Sequence, residues 1–360
     1  MWMVEGKWMW SQLKILQHKD ILFSIINKTL SKPVHVQFEL TESCNYGCIF
    51  CPWHGENKTS YDNLDFTGKR FFPTQRLLRL IDELEDIGTK AISITGTGEN
   101  LIHPDFDIIA KKLSQTKIDF ALTTNFGVKL KEGVIRDLLK AKWLRWSVNA
   151  ADKETYNKTN RPKIKNAFDI AKTNIENLVR LRRDEKVHIG ASFVIGNYNK
   201  HNILDIVEFT KSLKIDSISF RPDTPLLRTQ KRYEYDKDIV DTLKYVKKSY
   251  ETDDFKIYIN LQRLEDSLVV DDENLKCYYS NFSIHIISNG DVYPCCMTRY
   301  DRRYSFGNIM NCGFKDFWES QDRVDNYKKI YIKNCPSCHH TKTNVVLKNF
   351  YDIENIDNFI

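Results

Sequence analysis

No stretch of this 360-residue sequence approaches the roughly 20 consecutive apolar residues that a membrane-spanning helix needs, which excludes an integral helical membrane protein. The opening residues, MWMVEGKWMWSQLKILQHKD, lack the small-residue cleavage site of a secretory signal and carry scattered charges, so a cytoplasmic protein is expected. Concentrated charge is missing too. The net charge of +6 is spread thinly, and two acids interrupt the densest basic run, LVRLRRDEK from Leu178 to Lys186. Such a run reads as a solvated helix face, so neither a nucleic-acid nor a membrane partner is expected. Cysteine is absent between Cys51 and Cys277. The nine cysteines therefore form an early and a late group, badly placed for stapling a fold that a reducing compartment would not oxidise anyway. Metal or redox chemistry suits them better.

What is present is a regular alternation. Segment 1–33 reads as a helix with an apolar face (Leu13, Leu16, Ile21, Ile25) that ends before Pro33. Six strands are then expected, at Val34–Leu40, Ala91–Thr95, Asp119–Asn125, Leu144–Ala150, Val187–Ile195 and Ser217–Pro222, with helical periodicity between them. The stretch TQRLLRLIDELEDIG shows the helical signal: Thr74 as a start, Leu77, Leu80, Ile81 and Leu84 on one face, Gly88 as a stop. Alternation of this kind predicts an α/β unit over 34–250 with parallel strands joined by helical crossovers. Periodicity leaves open whether the sheet is doubly wound or a partial barrel; six units are too few for a closed eightfold one. In either case ligands gather beyond the C-terminal ends of the strands. Cys44, the TGTGEN stretch (Thr95–Asn100), Asn125 and Asn149 all fall there.

After about Tyr250 the rhythm changes. FSIHIISNGDVYPCC (Phe282–Cys296) reads as strand, Asn-Gly turn, strand. A helix is expected over Lys315–Tyr331, followed by NCPSCHH (Asn334–His340). This makes a small second unit, 251–345, rich in cysteine and short on core, with 346–360 as a tail.

The early cysteines, Cys44, Cys48 and Cys51 in SCNYGCIFCPW, have the spacing C-x3-C-x2-C. That is one ligand short of a structural zinc site, unless His54 supplies the fourth. Three thiolates also suit three corners of a cubic iron–sulfur cluster, leaving one iron open as catalytic metals keep an open position. The late group reads C-x12-G-x4-C from Cys277 through Gly290 to Cys295, then Cys335-x2-Cys338. Two separated pairs close a site, and a zinc ribbon has such spacing. Cys296 and Cys312 read as small buried hydrophobes.

The run CNYGCIFC resembles the signature of the radical S-adenosylmethionine (radical SAM) superfamily, and the wider pattern agrees across most of the chain. The resemblance implies a partial (β/α)6 TIM-like barrel with a small C-terminal α+β iron–sulfur domain. It implies that Cys44, Cys48 and Cys51 hold a [4Fe–4S] cluster whose fourth iron chelates the methionine of SAM, with Phe50 near the adenine. TGTGEN stands where the family has glycine–glycine–glutamate–proline, so Gly96, Gly98 and Glu99 are implied to meet the SAM amino group, with Asn100 in the proline position. TTNFG and SVNAADKETYNKTNRP also resemble the family, which puts Asn125, Ser147 and Asn149 toward SAM. The late region is similar to the SPASM/Twitch extension. It implies one auxiliary [4Fe–4S] cluster on Cys277, Cys295, Cys335 and Cys338, closed and suited to moving electrons; no cysteine follows Cys338 to build a second.

The implied reaction is reductive cleavage of SAM to a 5′-deoxyadenosyl radical that takes hydrogen from an unactivated carbon. A closed auxiliary cluster suits dehydrogenation or a similar oxidation, and an electron donor such as flavodoxin or ferredoxin is implied. Arg221, at the tip of the sixth strand, is a candidate anchor for an anionic substrate. With 33 residues before the first strand, few for a leader-binding domain, a small-molecule or saccharide substrate is expected. A peptide or protein maturase is the alternative, and a non-catalytic zinc-binding interaction protein is the alternative of another class.

Overall fold

The computed structural model describes residues 12–29, 31–55, 64–223, 237–259, 272–336 and 338–351. All six expected strands form: β1 (His35–Phe38), β2 (Ala91–Ile94), β3 (Asp119–Thr124), β4 (Trp143–Ser147), β5 (His188–Ile195) and β6 (Ser217–Pro222). Each pairs in parallel with the next. Two parallel strands join beyond these. β7 (Lys256–Ile259) extends the sheet past β6, and β8 (Ser283–Ile286) pairs with β1 on the opposite side. β7 escaped the sequence pattern because it is a four-residue edge strand with one fully buried side chain, Ile257. β8 was legible as half of a hairpin, and β9 (Asp291–Tyr293) does return antiparallel to it, through a turn in which Gly290 has φ +86°. With β10 (Gly307–Asn308), the order is β10-β9-β8-β1-β2-β3-β4-β5-β6-β7, an open sheet. The cysteine-rich hairpin is thus hydrogen-bonded to the first barrel strand, which fixes the distance between the two cysteine groups.

The sheet has two unlike faces. Val36, Phe38, Ile92, Leu122, Trp146 and Phe193 belong to one, and they are fully buried or nearly so. The amphipathic helices pack there: α1 (Lys19–Ile26) stands apart, but α2 (Thr74–Asp86), α3 (Phe106–Gln115), α4 (Glu132–Leu138), α5 (Lys153–Asn160), α6 (Ala167–Leu181), α7 (Ile203–Ser212) and α8 (Lys237–Tyr250) contribute to the same core. The period of two sends the alternate residues to the other face. There His35 Nε2 lies 2.9 Å from Ser93 Oγ, His188 Nε2 lies 2.8 Å from Ser217 Oγ, and Arg221 Nε is 3.0 Å from Ser192 Oγ. The barrel interior therefore carries polar side chains that hydrogen-bond between neighbouring strands.

Two sequence expectations change in detail. Residues 1–11 lie outside the described ones, and the rest of the expected first helix is a 3-10 turn over Gln12–Gln17 and then α1, interrupted at His18. The helix expected over Lys315–Tyr331 is two, α9 (Phe314–Glu319) and α10 (Gln321–Lys328). Ser320 between them adopts extended backbone, and its hydroxyl accepts from Arg323 N, the competition a serine offers a helix interior. Beyond the late cysteines, α11 (Thr341–Tyr351) packs Leu347 with Ile21 and Ile25 of α1, Phe282 and Cys338 in a second small core. Among the described residues no helix is long and apolar enough to cross a membrane.

Candidate active site and cluster sites

The loop after β1 carries the early cysteines, and three other strand ends hold it. Glu99 N donates to Ser43 O at 2.9 Å, joining TGTGEN to the residue before Cys44. A Cβ at Gly98 would lie 2.3 Å from Ser43 O and 2.4 Å from Thr41 O, and one at Gly96 would lie 2.4 Å from Glu39 Cγ. Close backbone approach is what these glycines permit. Asn100, in the usual proline position, is buried and accepts from Leu40 N at 2.9 Å, so the departure supplies a tie between β2 and the end of β1.

Glu99 is buried and fully engaged. Oε1 accepts from Leu101 N (3.0 Å) and Thr124 Oγ1 (2.6 Å), and Oε2 accepts from Asn125 N (2.7 Å). Burial raises its pKa, against the pull of these donors. Asn125 in turn donates from Nδ2 to Asn45 Oδ1 (2.9 Å) and accepts from Gly127 N (2.7 Å). Asn149, at φ +56°, accepts from Val194 N and donates to Asn160 Oδ1, which lies 3.9 Å from Cys48 Sγ. Gly96, Gly98, Glu99, Asn125 and Asn149 are thus brought round the cysteine loop. Ser147 is half-buried at the end of β4 on the polar face.

Sequence reasoning missed the segment that clasps the loop from the other side. Gly47 N donates to Arg161 O, Ile49 N to Thr159 O and Lys163 N to Asn45 O, each at 2.9–3.0 Å. Tyr46 and Tyr156 share a hydroxyl contact of 2.9 Å beneath it. The signal was present in SVNAADKETYNKTNRP but without a pattern to say what it touches. Also missed was Tyr198, on the loop after β5. Its ring stacks on Phe50 (5.9 Å between centroids, 20° between planes), and its hydroxyl reaches Asp223 Oδ2 at 3.3 Å.

The three thiols are neighbours. Burial, then the charges of Cys51 and Cys44, push the Cys48 thiol well above the usual range, and burial and Glu99 push Cys44 up to about 12. The zinc alternative needs His54, but its Nε2 donates to Glu42 O at 2.8 Å and its ring packs edge-on against Phe66. His54 N instead donates to Cys51 Sγ at 3.4 Å.

The late cysteines also converge. Backbone pairing of Lys276 with Tyr331, with Ile332 N donating to Leu275 O at 2.9 Å, carries Cys277 to the Cys335–Cys338 turn. The hairpin delivers Cys295 at the end of β9. Burial raises the Cys295 thiol far up, and Cys296, Cys277, Cys335 and Cys338 add to the rise, so these four sulfurs lie within reach of Cys295. Cys296 and Cys312 correct the sequence reading: Cys296 is half-buried beside this group, and Cys312 is exposed. Among the described residues no three Cys, His, Asp or Glu side chains close tightly on a single ion. Crowded buried thiols that repel one another as thiolates fit a polycationic cluster, which deprotonates its ligands outright.

A family model described as the radical SAM superfamily matches residues 38–210, and one described as an iron–sulfur cluster-binding domain (SPASM) matches residues 277–340. The chain belongs to the radical SAM superfamily. It is an enzyme of that superfamily with a SPASM-type C-terminal domain, and its cofactors are SAM, the [4Fe–4S] cluster that binds SAM and an auxiliary cluster. Curated relatives include the probable GTP 3′,8-cyclase of Thermococcus kodakarensis, 32% identical over 111 residues (31% of this chain, 33% of that protein). The GTP 3′,8-cyclase of Campylobacter jejuni is 29% identical over 194 residues (53% of this chain, 57% of that one). The match thus spans a third to somewhat over half the length of these relatives. Among solved structures, Streptococcus suis SuiB bound to precursor peptide SuiA has the same fold, with a TM-score of 0.62 at 19% identity, covering 93% of this chain and 77% of that one.

Proposed function

We propose that this radical SAM enzyme abstracts hydrogen from a hydrophilic small-molecule or saccharide substrate, in a dehydrogenation or similar oxidation. The polar groups on the interior face of the barrel are the observation that carries the reading: His35 with Ser93, His188 with Ser217 and Arg221 with Ser192 hydrogen-bond there. When bound, SAM and its cluster supply a 5′-deoxyadenosyl radical as the hydrogen-abstracting agent. Cys44, Cys48 and Cys51 hold that cluster in this proposal. Gly96 and Gly98 bring strand-end backbone close to the methionine end of SAM, Glu99 fixes the tips of β2 and β3, and Phe50, stacked on Tyr198, borders the adenine. Asn125, Ser147 and Asn149 complete the wall. Cys277, Cys295, Cys335 and Cys338 hold the auxiliary cluster as an electron acceptor. The division into a catalytic unit (34–250) and a cluster-bearing unit (251–345), flanked by 1–33 and 346–360, belongs to the same reading. So do a flavodoxin- or ferredoxin-type electron donor and a reducing, cytoplasmic setting, which nine free thiols suit.

Peptide maturation is the second reading. The open sheet favours it, since among the described residues β7 and β10 are its outermost strands, and an extended chain could lie along such an edge. Cell extract passed through a membrane of roughly 3 kDa cut-off separates the two, the size class of metabolites against that of folded precursors. Stimulation of 5′-deoxyadenosine formation by the filtrate is expected. Stimulation by the retained fraction alone would replace the first reading with the second.

A further inference from the structure

Where the cysteine loop meets the C-terminal hairpin, four buried nitrogen atoms have no hydrogen-bond partner among the described residues. They are both ring nitrogens of His285, Nε of Arg299 and the indole nitrogen of Trp53. They belong to one cluster. The β1–β8 register sets His285 beside Gln37 on the polar face of the sheet, and Glu39 continues that face two residues on. The charge of Arg299 acts on both His285 and Glu39. Its guanidinium lies 5.3 Å from the Trp53 ring centre, Trp53 packs on Tyr300 at 4.9 Å, and the Tyr300 hydroxyl donates to Glu39. Glu39 also accepts from Thr97 N (2.7 Å) and Thr97 Oγ1 (2.6 Å), both on Oε2. It counterbalances Arg299 without occupying Arg299 Nε.

His285 is 0% exposed and Trp53 5%. A buried donor or acceptor left unmet is costly, and a buried imidazole with neither nitrogen engaged calls for an explanation. The set is rich in donors. Guanidinium and indole N–H groups only donate, and a neutral imidazole offers one donor and one acceptor. Around a positive charge, such a set excludes a cation and matches an oxyanion with one further proton to give.

We propose that Arg299, His285 and Trp53 bind a carboxylate or phosphate group of the substrate at this junction. The inference rests on the reading of a substrate held in the polar interior. It moves the anionic anchor from Arg221, whose Nε and Nη2 both engage Ser192 Oγ, to a residue of the C-terminal unit. It also places the anchor between the two cysteine groups: Trp53 is two residues past Cys51, and Arg299 four past Cys295.

Anaerobic calorimetry on the reconstituted holoenzyme tests this, with succinate as the carboxylate probe and inorganic phosphate as the other. One of the two should saturate at one per chain. Arg299→Gln and His285→Phe should each weaken that binding at least tenfold, with iron content and SAM affinity unchanged. Arg299→Lys, which keeps the charge and loses the fork, should bind at an intermediate strength and guards against a folding defect in the glutamine variant. The proposal is overturned if neither anion saturates, if the substitutions leave anion binding unchanged, or if SAM affinity falls in parallel. Anion binding is read without turnover, so a failure here leaves SAM cleavage, and the proposed reaction, standing.

Discussion

Replacing Cys44, Cys48 and Cys51 together by alanine should reduce 5′-deoxyadenosine formation to background and lower bound iron from about eight to about four atoms per chain. The size of the effect follows from the architecture. Among the described residues His54, the nearest other candidate ligand, has its Nε2 committed to Glu42 O, and Cys295 sits across the β1–β8 pairing, at the end of the hairpin. Glu42, which shapes the loop, is itself buried and tied by Thr67, Gly68 and Arg70, so the backbone should survive loss of the thiols. Near-ultraviolet circular dichroism and iron analysis on the same sample check this. Retained SAM cleavage would mean that the cleaving cluster lies elsewhere.

The second large effect is expected from Cys335→Ala with Cys338→Ala: iron falls by about half, from the other side, while SAM cleavage without substrate turnover persists. Cys338 lies in the small second core with Ile21, Tyr278, Phe282 and Leu347, a core of few residues among those described. Binding energy of a metal site is folding energy where the core is small. The double variant should therefore also melt earlier and be cut by protease between Cys277 and Tyr351 before the barrel is touched. Limited proteolysis followed by mass measurement reads this out. Uniform cutting along the chain would contradict it.

How much of this was legible in sequence differs by level. The six barrel strands were readable because each alternates or runs apolar between turn signals and is followed by a helical period. β7 was not, because a short edge strand with one buried residue makes no pattern. The pairing of β8 with β1 was not, because pairing across some 250 residues is decided by register and not by local preference. Ser320 illustrates the opposite failure: the apolar period of Lys315–Tyr331 is helical throughout, and one capping hydroxyl breaks it. At the site, the cysteines were legible from spacing alone. The clasp of Thr159, Arg161 and Lys163 on the loop was not, since it is made by backbone groups that every residue carries. Arg299 and His285 were invisible for a related reason. A lone arginine after a cysteine pair and a histidine in a strand have no signature until burial and register bring them together.

In the proposed function the same chain holds one cluster open to SAM and another closed. Low-temperature EPR of the dithionite-reduced holoenzyme, recorded with and without SAM, tests it most directly. Two overlapping iron–sulfur signals are expected; SAM should shift one and leave the other unchanged, and the shifting signal should be the one missing from the Cys44, Cys48 and Cys51 variant. Signals indifferent to SAM, or stoichiometric zinc with no iron–sulfur signal, would contradict the account.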